Sequence, residues 1–175
     1  SVLIGNGIVT SNIKFVGASR QLGYFTNATS IGIDTGLVLS TGKVGDIAGK
    51  ATTTASTDMK SQITDSDILT LMKQNSSLAI SANDVAYLEF DFTPMGDSIE
   101  FQYVFGSEEY PEFVCNFNDG FAMLLSGQGI NGSFQNGAVN LALVPGTSTP
   151  VSISTINKST ENCVNANRNS NLYVD

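Results

Sequence analysis

Glycine, asparagine and proline interrupt the apolar stretches of this chain roughly every 8 to 12 residues, the rhythm of an all-β sandwich or barrel. Between these breaks most apolar runs are too short for helices and alternate with polar residues. Residues 8–16 alternate well enough for a strand. A turn at Gly32-Ile33-Asp34-Thr35-Gly36 leads into a short apolar strand over 37–41, closed by Gly42. Over 85–92, Leu88, Phe90 and Phe92 fall on one strand face and Glu89 and Asp91 on the other. After a turn at Pro94-Met95-Gly96-Asp97, residues 98–105 alternate again, with Ile99, Phe101, Tyr103 and Phe105 together. These two runs read as an antiparallel hairpin with one buried face. Further strands are predicted over 121–126, 139–144 and 151–156, the last two flanking a turn at Pro145-Gly146.

One segment departs from this pattern. Near residues 66–73 Ile68, Leu71 and Met72 share a helical face, and Asp65 or Ser66 can cap it. Residues 43–57 are rich in Gly, Ala and Thr without a period and read as a long surface loop. No fixed-period repeat is visible, which argues against a solenoid or propeller. With 175 residues the chain suits a single domain over 1–175 with its own core.

Charge narrows the function classes. Only 14% of residues are charged, well below the roughly 25% of an average soluble domain, so Ser, Thr, Asn and Gly must supply the polarity. That balance is common in exported β-proteins, whose turns need Asn and Gly. The net charge of −8 and the lack of a basic stripe make nucleic acid a poor partner. A weakly bound divalent cation fits an acidic chain better. No apolar run approaches the ~20 residues of a bilayer span, so direct membrane insertion is not expected. Ser1-Val2-Leu3-Ile4-Gly5 is too short for a signal peptide, so any export signal is expected to precede Ser1.

Cys115 and Cys163 lie far apart, and the chain has no histidine, so a structural zinc site is not expected. A disulfide between them is the natural reading for a secreted chain; two buried free thiols are the alternative. Histidine is also required by Ser-His-Asp and Cys-His catalysis, which are therefore excluded.

The densest chemistry lies in Gly106-Ser107-Glu108-Glu109-Tyr110-Pro111-Glu112-Phe113, followed by Asn116-Phe117-Asn118-Asp119-Gly120. Hard oxygen donors crowded on one loop suit Ca²⁺, which takes 6 to 8 oxygens in flexible geometry. Glu108, Glu109, Asn118 and Asp119 are the expected ligands, and Tyr110, Glu112 and Phe113 the expected ligand-binding surface. The spacing matches no EF-hand. A solvated acidic loop is the bland alternative. Paired carboxylates could also process carbohydrate, through Glu89 with Asp91 or Glu108 with Glu109. Adjacent side chains usually diverge, however, and there is no tryptophan for sugar stacking, so the chain is expected not to be an enzyme. Four sequons, at Asn27, Asn75, Asn131 and Asn157, are expected by chance in so Asn- and Ser-rich a chain.

Several motifs together resemble the bacterial choice-of-anchor L domain. They include Leu88-Glu89-Phe90-Asp91-Phe92-Thr93-Pro94 and Tyr103-Val104-Phe105-Gly106-Ser107-Glu108-Glu109-Tyr110-Pro111-Glu112-Phe113. Phe117-Asn118-Asp119-Gly120-Phe121 and Gly32-Ile33-Asp34-Thr35-Gly36-Leu37-Val38-Leu39-Ser40-Thr41-Gly42 also belong to the pattern, as does Asn140-Leu141-Ala142-Leu143-Val144-Pro145-Gly146. The resemblance implies an exported domain of the bacterial cell surface without catalytic activity. Cys115 and Cys163 are not part of the family pattern. More loosely, the stretch from Asn118 to Leu125 is similar to the Asp-Gly-apolar strand of legume-type lectins, an analogy of fold only.

Together these features predict an all-β antiparallel sandwich, jelly-roll or lectin-like, with the one short helix. The expected role is an extracellular adhesion or binding module with a Ca²⁺-ordered loop, whose partners are other surface proteins or glycans. Family members continue beyond the motif matching Asn171-Leu172-Tyr173-Val174-Asp175, so the domain is expected to be cut short there or completed by a neighbouring subunit's strand. The latter gives the alternative role, a self-assembling subunit of an extracellular filament or matrix.

Overall fold

A computed structural model describes residues 7–47, 57–75 and 81–174. Among the described residues strands and coil dominate, with one α-helix, small antiparallel sheets and no closed barrel. The chain forms two compact units: Ser1–Thr64 with Asn83–Val104, and Asp65–Ala82 with Phe105–Asp175.

In the first unit β1 (Ile8–Val16) pairs antiparallel with β4 (Tyr87–Pro94). The alternation expected for β4 holds, with Leu88, Phe90 and Phe92 half-buried and Glu89 and Asp91 exposed. The register slips between Ser11 and Lys14, where Asn12 turns left-handed (φ 52°), a conformation Asn tolerates at a bulge. Across this ladder Lys14 Nζ meets Glu89 Oε1 at 3.1 Å and Asn12 Nδ2 donates to Asp91 Oδ2 at 2.6 Å. The Glu89–Asp91 pair is thus a solvated strand face, each carboxylate with its own partner.

The hairpin expected of 85–92 with 98–105 does not form: residues 98–105 carry no strand. Alternation sets which face a strand buries but does not choose its neighbour. Here β1 takes that place, and Met95 N donates to Gly7 O (2.8 Å), carrying the pairing past the end of β4.

A second sheet joins β2 (Leu22–Phe25) to β3 (Gly36–Leu39). Gly36 faces Phe25, whose ring lies where a Cβ at 36 would sit, 2.7 Å from its nearest atom. Gln21, fully buried, organises the unit. Its Oε1 accepts from Ala18 N (2.7 Å), and its Nε2 donates to Thr41 O (3.0 Å) and Asp84 O (2.8 Å). Of the expected loop at 43–57, Val44–Asp46 forms a 3₁₀ turn and residues 48–56 lie outside the described residues.

In the second unit α1 (Ser66–Asn75) appears where expected. Asp65 caps it, its Oδ1 accepting from Asp67 N and Ile68 N, both at 2.9 Å. Leu71 is buried, with Leu71 and Met72 against Gly120. The strands expected over 121–126 and 139–144 shrink to β5 (Leu124–Leu125) and β6 (Val139–Asn140). Asn140 competes with the ladder, its Oδ1 accepting from Met123 N (3.0 Å) and Ala142 N (3.1 Å). Residues 151–156 make one bridge, Gly120 to Ser152, and then turn. Thr155 Oγ1 accepts from Ser152 N (2.8 Å) and donates to Pro150 O (2.7 Å), folding the backbone back on itself. The turn at Pro145-Gly146 is present, with Gly146 at φ 75°.

Candidate functional site

The acidic segment lies wholly in the second unit. From 108 to 116 the chain runs through successive turns, in which Phe113 N donates to Glu109 O and Phe117 N to Phe113 O, each at 3.0 Å. The Tyr110–Pro111 peptide is cis. Ser107 closes the loop: its Oγ donates to Asp119 Oδ2 (2.5 Å) and accepts from Glu109 N (3.0 Å). Asp119 O in turn accepts from Ile153 N (3.1 Å), tying the end of the loop to the buried turn at 152–155. Cys115 and Cys163 form the disulfide expected of them, anchoring the middle of the loop to the Asn-rich segment.

The side chains divide into two groups. Val114 and Asn118 are buried; Phe113 and Phe117 project outward, 49% and 54% exposed, as do Glu108, Glu112 and Asn116. The two rings stand 6.2 Å apart at 64°. Tyr110 turns inward, its hydroxyl donating to Ile156 O (2.6 Å) and its ring packing edge-on against Tyr173 at 5.1 Å. Burial raises the Tyr110 hydroxyl well above the ordinary phenol range, with smaller contributions from Tyr173 and Asp119. Of the residues expected to face a ligand, Glu112 and Phe113 are therefore presented to solvent, and Tyr110 serves the packing.

Of the expected metal ligands, Asp119 and Glu108 each lie close enough to Glu109 for their charge to act on it. Partial burial, then the charge of Asp119, then that of Glu108 hold the Glu109 carboxyl above its ordinary range. No ion pair engages these carboxylates among the described residues. Asn118 Nδ2 reaches Met72 O at 3.5 Å, while its buried Oδ1 has no partner among the described residues. Among those residues no three His, Cys, Asp or Glu side chains converge closely enough to hold a metal ion. Among the described residues these groups therefore form no assembled cation site.

Sequence reasoning passed over two residues. Ser107 emerges as the clasp of the loop; Ser two residues before a backbone N–H is a turn signal, but its bond to Asp119 is long-range. Phe117 joins Phe113 because the loop is locally helical, and the i, i+4 spacing was the available clue. Elsewhere, Asn157 of the fourth sequon is fully buried with its amide group engaged, so it is no acceptor for a glycan. Asn27 and Asn131 are exposed, and Ser76 and Ser77 of the Asn75 sequon lie outside the described residues.

Among the described residues no helix is long and apolar enough to cross a membrane. Compared with known proteins, the chain is matched by the family model of the choice-of-anchor L domain over residues 1–175, its whole length. No curated protein and no solved structure matches it.

Proposed function

The chain belongs to the choice-of-anchor L domain family, whose members are bacterial surface-associated modules, and on that premise we propose an exported adhesion or binding module. Its binding face is the disulfide-tied loop 107–119, and Ca²⁺ orders the acidic groups within it. Glu108, Glu109 and Asp119 would offer carboxylate oxygens and Asn118 its Oδ1, the hard donors this ion prefers. The partners are glycans or other surface proteins, and the finer architecture is a lectin-like or jelly-roll sandwich. The observation that carries the reading is the clasp at Ser107, which holds Asp119 and the backbone of Glu109 together although their like charges repel.

Two measurements test it. Millimolar Ca²⁺ should raise the melting temperature and EDTA lower it, with the shift lost in Glu109→Gln/Asp119→Asn; an unchanged melt removes the ion. A glycan array and immobilised bacterial surface proteins, probed with the domain, should lose their signal with Phe113→Ser. Equal binding by that variant removes the loop as the binding face.

A second reading is a filament or matrix subunit built by strand exchange. Its support is that each sheet has only two strands among the described residues, and a two-stranded sheet can be extended by an added strand. A strictly monomeric elution at high concentration would contradict it.

A further inference from the structure

The loop 107–119 buries Val114 in the ordinary way but breaks the apolar-in, polar-out pattern at Phe113, Phe117 and Asn118. A helical turn that packs on a core normally buries its apolar face and exposes its polar one. Here Asn118 is buried with its Oδ1 unpartnered, while Phe113 and Phe117, one turn apart, stand about half exposed. Two large apolar side chains thus forgo much of the burial that would stabilise them. Local rules are broken in this way mainly where a surface serves a partner.

The backbone that carries the rings is held in place. Phe117 N and Asn116 N both donate to Phe113 O, at 3.0 and 2.9 Å, and the disulfide grips Cys115 between the two aromatics. A backbone already fixed has less to lose on binding. Tilted at 64° and 6.2 Å apart, the rings do not form one flat platform of the kind a sugar face stacks upon. An edge-on pair of half-exposed rings leaves ring face open to solvent, and the negative quadrupole density of such a face attracts a cation. The charges agree with this: Glu108 and Glu112 are exposed nearby without an ion-pair partner among the described residues, and the chain carries a net charge of −8.

We propose that Phe113 and Phe117 receive a lysine or arginine side chain of a partner protein, with Glu112 supplying the opposing charge. The inference rests on the loop being the binding face and adds the chemistry of what it binds.

The experiment titrates tetralysine, tetra-arginine and tetraglutamine peptides into the whole chain, followed by the aromatic ring resonances in NMR. Both basic peptides should shift the Phe113 and Phe117 rings, and tetraglutamine should not. Phe113→Leu/Phe117→Leu keeps an apolar surface but removes the quadrupoles, and should weaken binding roughly tenfold. Glu112→Gln should flatten the salt dependence. Because these side chains are exposed, the melting temperatures should hardly move, which separates lost binding from lost folding. Equal affinity in the leucine variant, or shifts confined to other residues, overturns the proposal. If array binding still depends on Phe113 while tetralysine leaves the rings unmoved, the cationic ligand falls and the binding face stands. If Phe113→Ser leaves array binding intact, the binding face itself falls.

Discussion

The two units of this chain reach order by different routes. The first has the longer ladder, seven register pairs between β1 and β4, yet among the described residues Val85 is its only buried apolar side chain. The second has strands of just two residues but holds Leu71, Val114, Ala138, Ala142, Val144, Val151 and Ile153 in its interior. There, backbone groups that would pair in a ladder are satisfied by Asn, Ser and Thr side chains instead. Asn157 is the fullest case: Nδ2 donates to Ile153 O and Asn165 O, both at 2.8 Å, and Oδ1 accepts from Ser159 N (3.2 Å) and Asn167 N (2.8 Å). A low content of charged residues and a high content of small polar ones therefore yields a fold in which side chains replace strand neighbours. Such a fold can hold an irregular loop in a fixed shape, as a binding face requires.

This contrast can be broken most directly at the disulfide. Cys115→Ser/Cys163→Ser opens a loop of sequence separation 48, which should cost about 4 kcal/mol through the unfolded state. Amides of the second unit should then exchange faster with solvent while those of β1 and β4 keep their protection. Equal acceleration in both would mean that the units unfold as one. The next effect is Asn157→Ala, which strands several buried backbone groups and should cost about 2–4 kcal/mol. Gln21→Ala is its counterpart in the first unit and should cost a similar amount, since three backbone partners lose their bonds. If Gln21→Ala proves far milder, the first unit rests on its ladder rather than on a side-chain hub. Asp65→Ala removes the two capping bonds of α1 and should cost ~1 kcal/mol, read by denaturant melts.

What could be read from the sequence follows the same division. β1, the inward face of β4 and the capped helix were legible because periodicity and capping are local signals. The partner of β4 was not, since pairing 8–16 with 87–94 spans most of the unit and alternation is indifferent to partner choice. The short strands of the second unit misled for a different reason. Val151, Ser152 and Ile153 alternate as a strand would, but Thr155 turns the backbone through bonds that no hydrophobic pattern encodes. At the candidate site the chemistry was visible as composition, and the disulfide as a pair of cysteines. The inward turn of Tyr110 and the outward pairing of Phe113 with Phe117 depend on tertiary contacts, to Ile156 and Tyr173 for the former.

Carboxylates of the two units offer the finest test of the comparison. In the first unit Glu89 has Lys14 beside it; in the second Glu109 has Asp119 and Glu108 and no cation among the described residues. With the Glu109 carboxyl raised by burial and by those charges, the native state holds its proton more tightly than the unfolded chain does. Its contribution to stability is thus full below the ordinary value of about 4.5 and is lost as pH rises through the native one. At pH 7 without calcium, Glu109→Gln should raise the melting temperature by ~1–2 °C, and the gain should vanish near pH 4. Calcium should invert the order, because a bound ion favours the carboxylate that glutamine lacks. A variant that stays above the wild type in both conditions would leave Glu109 as a strained but metal-free carboxylate. A crossing of the two melts would place it on the ion.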